Sequence, residues 1–590
     1  MPCNFAWHFS FIVTHNGMKK YICKTYFNKN LMNHNFFSTY SMFIALCAIS
    51  FSVKGQEAKN TNNAATTSKY YNWHNLDPKK NKTVGIGTER AYTELLKGKP
   101  MKTVIVAVID GGVDVNHEDL QGKIWVNKGE IPGNGIDDDH NGFVDDINGW
   151  NFIGGADGKN VNQETEELTR IYKKYSSKFA GVDTTTLRGN ELKEYEYFKK
   201  IRNKYIEKTN KTLKDYQNFE NFNQAFKFSD SLVSLKLNKS DYTHKEVKAW
   251  KPGDDDQLKA IREFMLSILE KASSIKEIRD YFNNPSANEY SESLVNKIKY
   301  NYNLDFNPRT IVGDDPKVWG SNYGNNDVRG PRPGHGTFVS GIIAANRHNN
   351  LGILGIADSV KIMVVRAVPD GDERDKDVAN AIIYAVNNGA QVINMSFGKA
   401  YSPQKKFVDE ALKYAASKDV LLVHAAGNDA ENVDTMANFP FNKDSLGHIL
   451  INNWLTVGAS FQKANKDLPG SFSNYGKKEV DLFAPGVRIY GLKPENKYEE
   501  GDGTSFAAPM VTGAAALLKS VYPSLHASQI KEILLKSCTQ YPKLKVYRPV
   551  EDGPKVKVKF GELSQTGGVL DVYSALILAE KYDALNTQKK

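Results

Sequence analysis

At 590 residues the chain exceeds what one hydrophobic core of usual size holds, so more than one compact unit is expected. A net charge of +9 is modest for that length and comes without an aromatic–basic array, which argues against nucleic acid as a partner. Cys3, Cys23 and Cys47 lie near the start and only Cys538 lies beyond, so stability must come from packing or metal rather than from an internal disulfide.

Lys19 and Lys20 follow Met18, and Met42 to Phe51 is an apolar run of signal-peptide length, with compact residues at Val53-Lys54-Gly55 before Gln56. The run is shorter than the ~20 residues a membrane span needs, and bulky Leu46 before Cys47 disfavours a lipoprotein site. Residues 1–55 are therefore expected to be a targeting segment of a secreted or periplasmic/extracellular protein without a stable membrane span. Residues 56–100 read as an N-terminal extension, polar at first, with a short helical piece from Ala91 to Leu96.

Thr103 to Ile109 is an uninterrupted apolar strand ending in Asp110-Gly111-Gly112, which predicts a parallel sheet covered on both faces. Ligands of such sheets gather at the carboxyl ends of strands, where Asp110 falls. Next comes an acidic loop, Asp137 to Asn148. Its oxygen-bearing side chains at Asp137, Asp139, Asn141 and Asp145, with Gly142 between, follow EF-hand spacing, and Phe143 would add its carbonyl. Asn148 replaces the bidentate Glu of that loop, and no EF-hand helices flank it. So many acids together repel without a cation, so a structural calcium is expected.

Between Lys159 and Asn307 the composition shifts to Lys, Glu, Tyr and Asn, reading as a helical insertion. From Asp254 to Tyr281, Leu258, Ile261, Phe264, Met265, Ile268 and Leu269 fall on one helical face. The insertion begins soon after Asp110 and ends ahead of Gly334-His335, which predicts helices emerging near the carboxyl edge of the sheet where ligands gather, as a lid or cleft wall.

Gly334-His335-Gly336-Thr337 enters a small-residue helix, Val339 to Ala345. The chain then alternates strand and helix: Lys361–Arg366, Asp377–Asn388, Gln391–Ser396, Gln404–Lys418 and Val420–Ala425, with further strands at Trp454–Ala459 and Val480–Phe483. This alternation predicts an α/β fold with a parallel sheet flanked by helices. Gly501 to Pro509 delivers Ser505 to the start of an apolar helix, Met510 to Leu518, where backbone N–H groups lack helical partners. Pro509 is expected in the first turn, which needs no amide from it. Helices at Ile530–Cys538, with Cys538 as inert core, and Leu570–Tyr582 close the domain, leaving 584–590 as a tail.

Asp, His and Ser in that chain order, within VIDGGVDVNHEDL, HGTFVSG and GTSFAAPMVTGAAALL, resemble the subtilisin-like serine peptidases, or subtilases. The resemblance implies a subtilisin-like catalytic domain over 101–158 and 308–583, interrupted by the insertion at 159–307. It implies Ser505 as nucleophile, His335 as general base, Asp110 as its orienting acid and Asn428 of the AAGN block as an oxyanion donor. Ser396, Phe397 and Gly398 would form one substrate wall, with Ala425, Ala426 and Gly427 opposite. Lys399, where the family often has glycine, is expected to narrow or charge the rim, and Phe338 replaces a histidine common after HGT. Calcium also accords with the family, whose usual folded propeptide has no room in 56–100. The expected activity is endopeptidase hydrolysis of protein or peptide substrates; a peptide ligase or a non-catalytic peptide-binding protein on the same fold are the alternatives. Oligomeric state is not legible.

Overall fold

The computed structural model describes residues 71–588 apart from 284, 321, 551 and 552. The expected targeting segment and the polar stretch after it lie outside the described residues. In chain order the first elements are α1 (Thr88–Glu94), β1 (Val104–Asp110), β2 (Gly149–Asn151), α2 (Glu167–Lys178) and α3 (Gly189–Leu237). Helices α4 (His244–Ala249), α5 (Asp256–Leu269), α6 (Ile275–Asn283) and α7 (Pro285–Asn296) follow. Then come α8 (Gly334–Ala344), β3 (Val360–Arg366), α9 (Asp375–Asn387), β4 (Val392–Met395), α10 (Lys405–Ser417) and β5 (Leu421–Ala425). Strands β6 (Trp454–Ser460) and β7 (Leu482–Pro485) precede a hairpin of β8 (Ile489–Lys493) and β9 (Lys497–Gly501). The chain closes with α11 (Thr504–Val521), α12 (Ala527–Ser537), β10 (Thr539–Gln540), β11 (Lys545–Tyr547), β12 (Lys557–Lys559), β13 (Gly568–Val569) and α13 (Val572–Gln588).

The described residues form two compact units, 71–222 with 288–588 and 223–287. The larger holds a 9-stranded sheet in the order β10-β13-β7-β6-β5-β4-β1-β3-β2, parallel but for the antiparallel edge pair β10–β13. Val104, Val106 and Val108 of β1 enter one hydrophobic cluster with α8 and α11, while Ala107 and Ile109 enter another with α9 and α10. Both faces are thus covered, which is why the strand carries no polar alternation. Asp110, two residues past Val108, falls on the α8 side by the strand's period.

The smaller unit buries Phe226, Val233, Tyr242, Val247, Ile261, Met265 and Leu269. The expected helical stretch from Asp254 to Tyr281 is two helices, because the chain turns after Leu269 and Glu277 of α6 accepts the amide and hydroxyl of Ser273 at 2.8 and 2.7 Å.

The segment from Trp73 to Leu96 is part of the larger unit's core: Trp73 and Ile86 are buried, and Trp73 Nε1 donates to the Arg488 carbonyl at 2.9 Å. The Ile86 carbonyl accepts from the Val572 amide at 2.8 Å, tying this segment to α13. Ile86→Ala should therefore cost about 2–5 kcal/mol in denaturant unfolding. Sequencing the amino terminus of purified active protein should find it before Trp73; a start between Trp73 and Met101 would show this segment dispensable.

Candidate active site

Asp110 ends β1 and His335 sits in the first turn of α8, so a strand end and a helix start meet. His335 Nδ1 lies 2.8 Å from Asp110 Oδ2 and 3.0 Å from Oδ1, and Asp110 Oδ1 also accepts the Gly111 amide at 2.7 Å. A carboxylate can only accept, so Nδ1 carries the ring proton and Nε2 is left as the acceptor. The approach needs a glycine: a Cβ on Gly336 would stand 2.2 Å from the Gly112 carbonyl oxygen. Loss of solvent around the imidazole, whose ring lies beside Phe506, lowers its pKa, but the charge and hydrogen bond of Asp110 outweigh this and leave it above 6.5. Phe338, in place of the family's histidine, stacks on Phe506 with centroids 4.0 Å apart.

Ser505 and Ser396 bond reciprocally. The Ser505 hydroxyl donates to the Ser396 carbonyl at 3.1 Å, and the Ser396 hydroxyl donates to the Ser505 carbonyl at 2.8 Å. The second bond follows from Pro509, which lies inside α11 rather than in the first turn where the sequence reading put it. Proline has no N–H, so the Ser505 carbonyl four residues back loses its helical donor. Ser396 supplies one instead, and is held by Asn394 Nδ2 at 2.9 Å, whose Oδ1 accepts the Thr512 hydroxyl at 2.9 Å.

Asn428 follows β5. Its Oδ1 accepts both the amide and the hydroxyl of Thr504, each at 2.9 Å, which fixes the direction of Nδ2. The point where a Cβ on Gly503 would sit is 3.8 Å from Asn428 Nδ2, 3.5 Å from Ser505 N and 3.7 Å from Ser505 Cβ. Two N–H donors and the serine thus border one small space that glycine keeps empty.

Ser396, Phe397 and Gly398 leave β4, and Ala425, Ala426 and Gly427 leave the adjacent, parallel β5, so the structure brings both expected walls to one edge. Asn438, which sequence reasoning passed over, bridges them. Its Nδ2 donates to the carbonyls of Ala425 and Ala426 at 3.2 and 3.1 Å, and its Oδ1 lies 2.3 Å from where a Cβ on Gly398 would be. The only signal was a polar residue before Phe439-Pro440, indistinguishable from a turn. Lys399 does not charge the rim: its side chain is 2% exposed and turned inward onto Glu167 and Asp375.

The subtilase family model matches residues 101–561 of this chain. The chain belongs to the subtilase family. It is 36% identical over 233 residues to subtilisin DY of Bacillus licheniformis, covering 39% of this chain and 77% of that protein. It is 41% identical over 187 residues to the thermophilic serine proteinase of Bacillus sp. (strain AK1), covering 32% and 42%. Among solved structures, a Pseudoalteromonas arctica protease is similar at 26% identity over 43% of this chain and 78% of that one, with a TM-score of 0.35. This subtilase is a subtilisin-like serine endopeptidase.

In the acidic loop of this subtilase, Asp137 and Asp139 meet Glu130, which precedes the loop, with ligand oxygens within 4.8 Å of one another. Of the other expected ligands, Asn141 stays beside this group, its backbone amide donating to Asp137 Oδ1 and to Asp139 Oδ1, each at 3.0 Å. Asp145 accepts the amides of Gly133 and Gly135 at 2.7 and 2.9 Å, and Asn141 Oδ1 accepts the Phe143 amide at 2.8 Å. The Phe143 ring packs 4.9 Å from that of Tyr384. Glu130 lay outside the EF-hand count and so outside the motif. No described helix is long and apolar enough to cross a membrane.

By ¹H–¹⁵N NMR, His335 should titrate above 6.5 in the folded protein, and Asp110→Asn should lower its midpoint, since the carboxylate charge that favours the imidazolium is removed while the loss of solvent stays. Because the folded value is raised, the pair's stabilisation is complete below the unfolded pKa of about 6.5 and is lost as pH climbs through the folded one. A titration unmoved by Asp110→Asn would break the assignment.

Proposed function

We propose that this subtilase is an exported endopeptidase that hydrolyses protein or peptide substrates through Ser505, His335, Asp110 and Asn428. The observation that carries the reading is the space beside Gly503, bordered by Ser505 and by the N–H groups of Ser505 and Asn428. A scissile carbonyl whose carbon meets Ser505 Oγ would put its oxygen there, where two fixed donors stabilise the charge that develops. The reading requires rotation about the Ser505 Cα–Cβ bond to release its hydroxyl from the Ser396 carbonyl for His335 Nε2, a contact that commonly forms only with substrate present. His335 Nε2 takes the hydroxyl proton as Oγ bonds to the carbonyl carbon, then gives it to the leaving amine as the C–N bond breaks. Water, deprotonated by the same nitrogen, releases the acyl group. Asp110 keeps the ring oriented and supports its positive charge. An extended peptide would lie between Ser396–Gly398 and Ala425–Gly427, pairing with backbone. Export rests on the signal-like run ahead of Gln56.

Ser505→Ala or His335→Ala should each lower kcat about 10⁶-fold in folded protein, because these groups act as a unit. Gly503→Ala is the sharper test. Its methyl would make only ordinary contacts of 3.5–3.8 Å, and φ of 164° is extended backbone open to any residue. Thermal stability should hold while kcat falls about 10²–10³-fold. Undiminished hydrolysis by this variant would sink the oxyanion assignment. The acid limb of the wild-type rate profile should have its midpoint above 6.5, since His335 must lose its proton to act.

Calcium is the structural cofactor we propose. Glu130, Asp137 and Asp139 would hold it: their hard carboxylate oxygens suit that ion, and their mutual repulsion calls for one. Bound calcium would brace the loop and take no part in the chemistry. Saturation at about a hundred times Kd would add about 2.7 kcal/mol. Chelation should therefore lower the melting temperature of wild type and leave Asp137→Ala unmoved; equal responses would place calcium elsewhere.

A further inference from the structure

Lys399 immediately follows the wall formed by Ser396, Phe397 and Gly398, yet its side chain leaves the groove. Its Nζ lies 3.1 Å from Glu167 Oε2 and 2.8 Å from Asp375 Oδ1, and donates to the Glu373 carbonyl at 2.7 Å. Glu167 opens α2, an element that enters the chain between Asp110 and His335, while Asp375 opens α9. The main chain of Lys399 is fixed as well: its amide donates to the Phe439 carbonyl at 3.0 Å, and the Phe439 amide donates to its carbonyl at 2.9 Å. Phe439 carries Asn438, the side chain that fills the gap between both walls. The wall is thus held at Ser396 by the Ser505 carbonyl and, three residues on, by an ammonium inserted among acids.

The neighbours of this ammonium are themselves anchored. Glu167 also pairs with Arg170 Nη2 at 2.6 Å, and the Asp372 carboxylate accepts the Glu167 amide at 2.8 Å. Asp375 accepts the Ser402 hydroxyl at 2.8 Å and the Gln404 amide at 2.7 Å, so it grips the chain just beyond Lys399. Tyr401 packs on the cluster of Leu168, Ile171 and Ile201. Beyond it a cavity of about 1200 Å³ opens between α2 and Ala400–Gln404, lined by Tyr175, Tyr197, Phe306 and Phe439 among others. Next to Gly398, therefore, the ionic contacts of Lys399 join the wall to α2, and the apolar contact of Tyr401 follows two residues further on.

We propose that Lys399 is a positioning residue for peptide binding: it braces the Ser396–Gly398 wall against Glu167 of the inserted helix α2, so that the insertion sets how firmly an extended peptide is held. The proposal deepens the peptidase reading above and rests on it. A displaced wall weakens contacts that ground state and transition state share, which raises KM and spares kcat. An ester too small to reach the wall does not register the change.

The test compares a tetrapeptide anilide with p-nitrophenyl acetate on full-length Lys399→Met and Glu167→Gln. Removing Lys399 leaves Glu167 with Arg170, and Asp375 with Ser402 and Gln404, so the acids keep partners. Glu167→Gln preserves shape and serves if the first variant fails to fold. Each should raise KM for the anilide about tenfold with kcat within about twofold, and leave acetate hydrolysis unchanged. The double variant should be no worse than the worse single one, since both remove the same brace. Equal losses on both substrates, a lowered melting temperature with unchanged KM, or additive effects would overturn the proposal. Wild type that cleaves neither substrate would instead overturn the peptidase reading beneath it.

Discussion

A missing hydrogen atom organises this site. Pro509 cannot donate to the Ser505 carbonyl, so that carbonyl turns from its own helix to the Ser396 hydroxyl. The helix that carries the proposed nucleophile is thereby bonded to the strand end that carries the proposed substrate wall. Thr512, one turn further along α11, closes the connection through Asn394. Leaving a buried carbonyl unsatisfied would cost about 1–3 kcal/mol, so this arrangement is enforced rather than incidental.

Around that bond the parallel sheet does the gathering. Asp110, Ser396 and Asn428 sit at or just past the carboxyl ends of β1, β4 and β5, and His335 and Ser505 lie in the first turns of α8 and α11 on one face. Behind Asp110, the buried Arg366 guanidinium binds the Gly111 carbonyl at 2.9 Å, and the Gly111 amide faces the Asp110 carboxylate. Arg366 is otherwise held by neutral oxygens such as Asn151 Oδ1 at 2.9 Å, and burial pulls its pKa down to about 10. The orientation of Asp110 is thus set two residues deep, by backbone that a buried cation fixes.

Strands β1 and β3 to β7 and helices α8 to α13 were legible because apolar runs and helical spacing repeat there without interruption, with errors of a few residues at the ends, whereas the short β2 and β8 to β13 carry no such run. The chemistry was legible because Asp110, His335 and Ser505 stand among glycines whose spacing few folds share. Helix α3 was not legible as one element: it runs from Gly189 to Leu237 with aromatic and charged residues on every side, so no apolar face announces it. The position of Pro509 misled for a different reason, since it is Ser396, distant in sequence, that makes an interior proline tolerable. Lys399 misled likewise. A lysine beside a groove reads as rim charge until the acids that receive it, Glu167 and Asp375, are brought there by the fold. Glu130 was missed because it precedes the loop whose internal spacing drew attention.

The contact between Ile86 and Val572 bears on the order of events during synthesis. Arg90 also lies over the Tyr573 ring at 3.8 Å, and Lys99 pairs with Glu580 at 3.0 Å, so α13 forms the seat for the segment that leads into β1. A nascent chain emerging from the ribosome or a translocation channel presents Trp73 and Ile86 long before Val572 and Tyr573, which pack on their segment. Vectorial folding from the amino end cannot complete this core. This core is covered only after α13 has been made, by which time Ser505 has already emerged, so it cannot close before the proposed nucleophile is part of the chain.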